Sequence, residues 1–168
     1  LIEFSSFNGL KASSSAGNKE PLYNYETMLL RNTSTIQYYT VLCYPRTVLA
    51  LRGLCQFQPK IGDGLPAQTL LSLGGGTTLR GSPMDRYLDN AILAANAELR
   101  FPIWKGFGGV LGFDLGQAAS SLGKLNNGNW IYNPVLGLRF YMKDIIVRAD
   151  LGFGKESTGF YFNFGQAW

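Results

Sequence analysis

The sequence predicts an all-β protein, a transmembrane antiparallel up-and-down β-barrel of about eight strands. Three observations predict it. Apolar and polar residues alternate in segments near ten residues long, the length a tilted spanning strand needs. Glycine supplies 21 of the 168 residues and aromatics 14%, while charged residues fall to 15%, below the roughly 25% usual in soluble domains. Mean hydropathy is nonetheless close to zero, and no run of about 18 apolar residues occurs, which excludes a spanning helix. A lipid-facing barrel reconciles these facts, because only every second strand residue has to be apolar.

In chain order, Leu1 to Leu10 alternates weakly, with Ile2 and Phe4 against Glu3 and Ser5, and reads as a first strand. Lys11 to Pro21, rich in Ser, Gly, Asn and Lys, is a loop. Tyr23 to Leu42 has no helical stop signals and reads as one long strand that protrudes from the bilayer. A four-residue turn over Tyr44 to Thr47 leads to a third strand, Val48 to Gln58. It sets Leu49, Leu51 and Phe57 on one face and Arg52 and Gln56 on the other. Lys60 to Ala67 carries Gly62-Asp63-Gly64 and Pro66 and is loop. Gln68 to Leu73 is a short strand-like start to the stretch Leu70 to Tyr87, which dissolves into Gly74-Gly75-Gly76 and holds Arg80 between Leu79 and Gly81.

From Ala91 the alternation is clear. Ala97, Leu99, Phe101 and Ile103 share one parity, and Asn96, Glu98 and Arg100 the other. Pro102 cannot donate a ladder bond and belongs at the strand's end or at a bulge. Trp104 to Gly108 reads as a turn. Val110 to Gln117 is the next strand, with Leu111, Phe113 and Leu115 opposite Gly112, Asp114 and Gly116. Ala118 to Asn129 is loop. Tyr132 to Met142 sets Leu136, Leu138 and Phe140 against Gly137, Arg139 and Tyr141. After a turn at Lys143-Asp144, Ile145 to Gly154 sets Val147, Ala149, Leu151 and Phe153 against Arg148, Asp150 and Gly152. Lys155 to Thr158 is a short loop. The last strand carries Phe160, Phe162, Phe164 and Trp168 on one face, with Tyr161, Asn163 and Gly165 on the other.

A soluble sandwich shows the same alternation, so loop lengths decide. Very short connections alternate with mostly longer ones, the pattern of periplasmic turns and extracellular loops. Counting Gln68 to Leu73 gives nine strands. Single-chain bacterial outer-membrane barrels have an even number, so that piece is assigned to a long loop, leaving eight strands and both termini in the periplasm. Tyr38, Tyr39, Trp104, Trp130 and Tyr132 lie near predicted strand ends, where aromatic girdles belong.

Other features bound the chemistry. The chain is one domain over residues 1–168. Its net charge of +4 comes from dispersed basic residues rather than a cluster, which argues against nucleic acid as a partner. Cys43 and Cys55 do not form a disulfide on this reading. A four-residue turn puts Cys43 opposite Val48 and Cys55 opposite Ile36, roughly 23 Å apart along the strand. There are no histidines, which removes the usual triads and imidazole metal sites. Gly74-Gly75-Gly76 lacks the lysine and spacing of a phosphate loop. Asp114 and Asp150 pair as acid and base only on paper, so neither enzymatic activity, a cofactor nor a metal is expected. No leader of the charged, apolar, small-residue kind begins at Leu1, so an exported chain would already have lost its signal peptide.

Five segments, read in order, resemble a known family. They are Leu79-Arg80-Gly81, Ala97-Glu98-Leu99-Arg100-Phe101-Pro102, Gly112-Phe113-Asp114-Leu115-Gly116-Gln117, Gly137-Leu138-Arg139-Phe140 and the closing Phe164-Gly165-Gln166-Ala167-Trp168. Together they resemble the C-terminal half of the BamA/TamA bacterial surface-antigen superfamily of outer-membrane assembly and translocation barrels. The likeness covers roughly Leu73 to Trp168; residues 1–70 match only in strand rhythm. It implies a sixteen-stranded barrel whose sixth extracellular loop, here about residues 74–90, folds into the lumen. There the loop arginine is held by inward carboxylates, which map onto Arg80 and Gly81 with Glu98 and Asp114. It also implies that Phe160, Phe162, Phe164 and Trp168 form the aromatic-ended signal read by the outer-membrane assembly machinery.

Two departures accompany the likeness. The family usually has an aromatic directly after Arg-Gly, where this chain has Ser82. The loop tip is then anchored differently, with Tyr87 the candidate, and changes at Ser82 are expected to matter little. No substrate-recruiting periplasmic domains precede the barrel, and about half the expected strands are present. An eight-stranded barrel is just filled by side chains and is expected to have no room for an inserted loop. Three arrangements stay open: the C-terminal part of a longer barrel, a short member closing alone, or a homodimer pooling strands. The implied location is the bacterial outer membrane, with lipid, lipopolysaccharide and the assembly machinery as partners. The implied function is insertion or transport of proteins by membrane thinning or an opening seam, the last strand being weakened by Gly159 and Gly165. The alternative is a small closed barrel with a structural or surface-binding role.

Overall fold

Period-two alternation produces strands throughout the molecule. The computed structural model describes residues 2–8, 30–43, 46–58, 70–125 and 129–165. Within these residues lie β1 (Ile2–Asn8), β2 (Leu30–Cys43), β3 (Thr47–Phe57), β4 (Leu71–Leu73), β5 (Tyr87–Asp89), β6 (Ala91–Trp104), β7 (Phe107–Ala119), β8 (Ile131–Tyr141), β9 (Ile146–Phe153) and β10 (Thr158–Phe164). The protein is all-β, its one short helical element among the described residues being a 3-10 turn at Leu122–Lys124.

Eight strands form one antiparallel sheet in the order β1-β2-β3-β6-β7-β8-β9-β10. The order is linear, and among the described residues no ladder joins β1 to β10. The remaining two, β4 and β5, pair only with each other, Leu71 opposite Asp89 and Leu73 opposite Tyr87. The strand-like start at Leu71 therefore belongs to the long loop, and the main sheet has an even count.

Register sorts the residues by chemistry. Along one row Ala50 lies opposite Glu98, Glu98 opposite Gly112, Gly112 opposite Val135, and Val135 opposite Gly152. The next row runs Leu51, Ala97, Phe113 and Pro134. The first kind of row is buried and the second is not: Glu98 and Asp114 are 0% exposed, whereas Leu138 is 58% and Phe160 64% exposed. Charge is inside and hydrocarbon outside, the reverse of a soluble domain.

The sheet curls around the loop between β4 and β5. Adjacent loop residues touch strands far apart in the order: a Cβ at Gly76 would meet the Tyr161 ring of β10 at 2.8 Å, while the Thr77 carbonyl accepts from Arg52 Nη1 of β3 at 2.6 Å. In a flat sheet β3 and β10 would lie five strand spacings apart, about 24 Å. Only strong curvature brings both to one dipeptide. The apolar floor of the loop, Leu71, Leu73 and Leu79, packs with Leu54, Ile92 and Ala94, flanked by Tyr87, Ala118 and Ile131. Burying each of those leucines contributes roughly 1.5–3 kcal/mol.

Several expectations are corrected. The β6–β7 turn is not Trp104 to Gly108 but the two residues Lys105 and Gly106, both with positive φ, 32° and 87°. Gly108, read as a turn residue, and Gly109, left between turn and strand, are both strand positions whose missing side chains make room for Tyr141 and Phe101 rings. Of the long strand expected over Tyr23 to Leu42, the described part from Leu30 is strand and runs one residue further, to Cys43; the part before Leu30 lies outside the described residues. Cys43 faces Thr47 rather than Val48, because the β2–β3 register shifts between Val41 and Cys43, and Cys55 faces Ser34 rather than Ile36. The two cysteine positions thus sit farther apart along β2, and Cys55 is a free thiol. Tyr39 is no girdle residue: it shares the inner parity of β2 and its ring lies 5.9 Å from the Arg100 guanidinium. Trp104 and Tyr132, 65% and 64% exposed, do sit outward near strand ends.

Candidate functional site

The loop from Gly74 to Arg86 is shaped before it is docked. Thr78 Oγ1 donates to the Gly74 carbonyl at 2.8 Å and accepts from the Gly74 amide at 2.9 Å, and the Gly75 amide donates to the Ser82 carbonyl at 2.9 Å. These bonds narrow the loop into a finger with Leu79, Arg80 and Gly81 at its inner end. Gly74, Gly75 and Gly81 have positive φ of 142°, 81° and 102°, which side chains resist.

Arg80 is 2% exposed. Its guanidinium grips Asp114 as a fork, Nε to Oδ2 at 2.9 Å and Nη2 to Oδ1 at 2.7 Å, while Nη1 donates to Glu98 Oε1. The Arg80 amide donates to Asp114 Oδ2 at 3.0 Å, and Asn96 Nδ2 donates to Oδ1 at 2.8 Å. Asp114 therefore accepts four bonds, filling its lone-pair sites. Glu98 is shared, its Oε2 accepting from Arg100 Nε at 2.8 Å. Asp150 of β9 reaches the same cluster, with Oδ2 3.7 Å from Arg80 Nη1. Forked, charge-assisted bonds are the strong kind and suit arginine rather than lysine.

Backbone contact completes the docking. A Cβ at Gly81 would meet Gly152 and Gly154 of the opposite wall at 2.6 to 2.9 Å, and a Cβ at Gly152 would strike the Arg80 carbonyl. Glycine at all three positions lets two main chains touch. Ser157 Oγ donates to the Gly81 carbonyl at 2.7 Å. Ser82 is buried and its Oγ accepts from Asn133 Nδ2 at 3.0 Å. This corrects the expectation that Ser82 matters little, because the serine is the size that leaves Asn133 within reach. Tyr87 is not the tip's anchor; it packs at the loop's base.

The expectation that eight strands leave no room for a loop concerned a closed barrel, and among the described residues no ladder closes this sheet; the loop lies against its inner face and needs room there. Inner-face glycines create the room: a Cβ at Gly116 would press on Leu73 and Leu79 at 3.1 Å, and one at Gly112 would lie 3.4 Å from Arg80 Nη2. Nearer the surface, Arg86 forks onto Glu156 at 2.7 and 3.0 Å, tying the loop to the β9–β10 connection. Hydrogen bonds from the Arg86 guanidinium hold the Glu156 carboxyl below its ordinary range.

Of the residues singled out in the sequence, Arg80, Gly81, Glu98 and Asp114 meet at one point. Asp114 and Asp150 both face arginines rather than each other. Phe160, Phe162 and Phe164 are 64%, 58% and 70% exposed on the outer face, and Trp168 lies outside the described residues. Sequence reasoning missed Asn96, Asn133, Gly152 and Gly154 as loop partners. Parity put them on the inner face, but nothing local in the sequence pairs them with residues some 20 to 70 positions away. No protein-family model matches the chain, and no curated protein matches it as a relative.

Proposed function

We propose that this chain is a bacterial outer-membrane β-barrel of the assembly and translocation kind, its wall held in shape by the Arg80 loop. One observation carries the reading. A loop arginine is buried against carboxylates of two neighbouring strands, Glu98 and Asp114, while the opposite faces carry exposed Ile103 on β6 and Leu111 and Phe113 on β7. The contact is the one the BamA/TamA resemblance implies, and the outer hydrocarbon is what lipid requires. The three phenylalanines of β10 fit the aromatic-ended signal by which the assembly machinery would insert the barrel beside lipid and lipopolysaccharide.

The inserted loop decides where transport would occur. It touches inner-face residues of β3, β6, β7, β8, β9 and β10, through Arg52, Asn96, Asp114, Asn133, Gly152 and Tyr161. A filled interior offers no central passage, so action on other proteins would fall to the wall. The natural place is the seam between β1 and β10, which share no ladder among the described residues. The same filled interior favours the second reading, a closed barrel with a structural or surface-binding role.

The experiment is assisted folding. A urea-unfolded outer-membrane barrel is diluted into lipid vesicles with or without this protein, and its folding is followed by heat-modifiable mobility. Faster folding with the protein supports the assembly reading. Equal rates overturn it and leave the structural one.

A further inference from the structure

Each guanidinium nitrogen of Arg80 has a carboxylate partner, but the buried charges among the described residues hold more guanidinium than carboxylate. They are Arg80, Arg100, Arg139 and Arg148 against Glu98, Asp114 and Asp150, four against three. Arg139 and Arg148 stand directly opposite each other in the β8–β9 ladder, the arrangement in which like charges repel. They are 1% and 6% exposed, so water does little to screen them.

Their donors are not used up. Arg139 donates from Nη1 to Asp150 Oδ1 and to its neighbour's carbonyl, Leu138 O, yet its Nε and Nη2 have no acceptor, and neither do Nε and Nη1 of Arg148. The carboxylate oxygens beside them are at 3.7 Å, Glu98 Oε1 from Arg139 Nη2, and at 3.8 Å, Asp150 Oδ2 from Arg148 Nη1. Both lie beyond hydrogen-bond reach. Buried guanidinium N–H groups without acceptors are costly. Asp150 Oδ2 is itself without a hydrogen-bond partner, but one oxygen cannot serve four unpaired nitrogens, and a water molecule would satisfy N–H groups without adding the negative charge that the buried set lacks.

We infer that Arg139 and Arg148 hold a small, singly charged oxyanion of the phosphate class on the inner face, near the short turn that joins β8 to β9. Paired guanidinium forks match the oxygens of such an anion. One negative charge offsets the excess, and the nearby Asp150 carboxylate disfavours a second. Asn163 lies opposite Arg148 on β10 and places an amide beside the same position. The anion has two sources with one chemistry, free inorganic phosphate or the phosphate of a lipid headgroup.

Thermal unfolding of the detergent-solubilised protein tests this, with inorganic phosphate or short-chain phosphatidylglycerol titrated at constant ionic strength against chloride. For wild type, each tenfold rise in phosphate beyond half-saturation raises Tm by a constant increment. Arg148→Gln abolishes the rise, and Arg86→Gln, at an exposed arginine, keeps it. Should Arg148→Gln not fold, Arg148→Lys serves, raising the half-saturating concentration about tenfold through loss of the fork. A rise with inorganic phosphate identifies the free anion, and a rise with the lipid alone identifies a headgroup. No rise with either, or an equal rise in Arg148→Gln or an unshifted midpoint in Arg148→Lys, overturns the inference.

Discussion

A buried arginine is an asset only while its carboxylates are in place. Removing Arg80 leaves Glu98 and Asp114, each 0% exposed, without their main compensating charge, and breaking such a pair costs about 3–5 kcal/mol. Arg80→Ala is therefore expected to lower the thermal stability of the detergent-solubilised protein by a large margin. Adding Glu98→Gln to that variant is expected to recover part of the loss, and unchanged stability of Arg80→Ala would refute the lock. Ser82 is a smaller case. Ser82→Ala deletes one buried hydrogen bond, from Asn133, and should cost about 1–2 kcal/mol in the same assay. The pairing of Glu98 and Asp114 with the loop residue Arg80 was implied only by the family resemblance, whereas the two carboxylates themselves were legible as inner-face charges from strand parity. Ser82 was not, since a serine beside glycine and proline looks like ordinary loop until Asn133 is seen above it.

At the scale of elements, the loop is held in three ways: by the leucines Leu71, Leu73 and Leu79 packed on the sheet, by the Arg80 fork, and by backbone contact of Gly81 with β9. Gly152 is the position where loop and wall have no spare volume. Gly152→Ala would push a methyl group into the Arg80 and Gly81 backbone and is expected to loosen the loop. Limited trypsin digestion reads this out as cleavage after Arg80, which wild type resists because the residue is buried. The outer tie responds to pH. Glu156 has a depressed carboxyl in the folded protein, so its stabilising share is complete above about pH 4.3, the ordinary glutamate value. It is lost as pH falls through the lower folded value. Both side chains are about half exposed, so the effect is small. Glu156→Gln should flatten the acid limb of the loop's protease resistance. Strand existence and facing were legible element by element, while the ends were not. Gly108 and Gly109 carry turn chemistry but serve as strand positions under Phe101 and Tyr141 rings, an arrangement set by side chains of the two adjacent strands, β6 and β8.

For the whole molecule, the inside-out distribution of charge and hydrocarbon makes one demand on its surroundings. If the outer face meets acyl chains, a charge there is penalised by depth, about 2–4 kcal/mol for arginine at the bilayer midplane. Leu138→Arg and Leu111→Arg should destabilise the protein in vesicles by that order, measured by denaturant titration, whereas a face meeting water would leave stability nearly unchanged. The eight-strand count was legible from alternation and loop lengths. The accommodation of the loop was not, because it depends on Gly112 and Gly116 of β7 and Gly152 of β9 together leaving space for a segment that lies well before them in the chain. That separation also orders events in time. Arg80 meets Glu98 and Asp114 at separations of 18 and 34 residues, but Gly81 meets Ser157 only across 76. Short closures precede long ones. The finger would therefore ride on the β6–β7 hairpin first and be sealed only when β9 and β10, made after it, arrive to complete the lock.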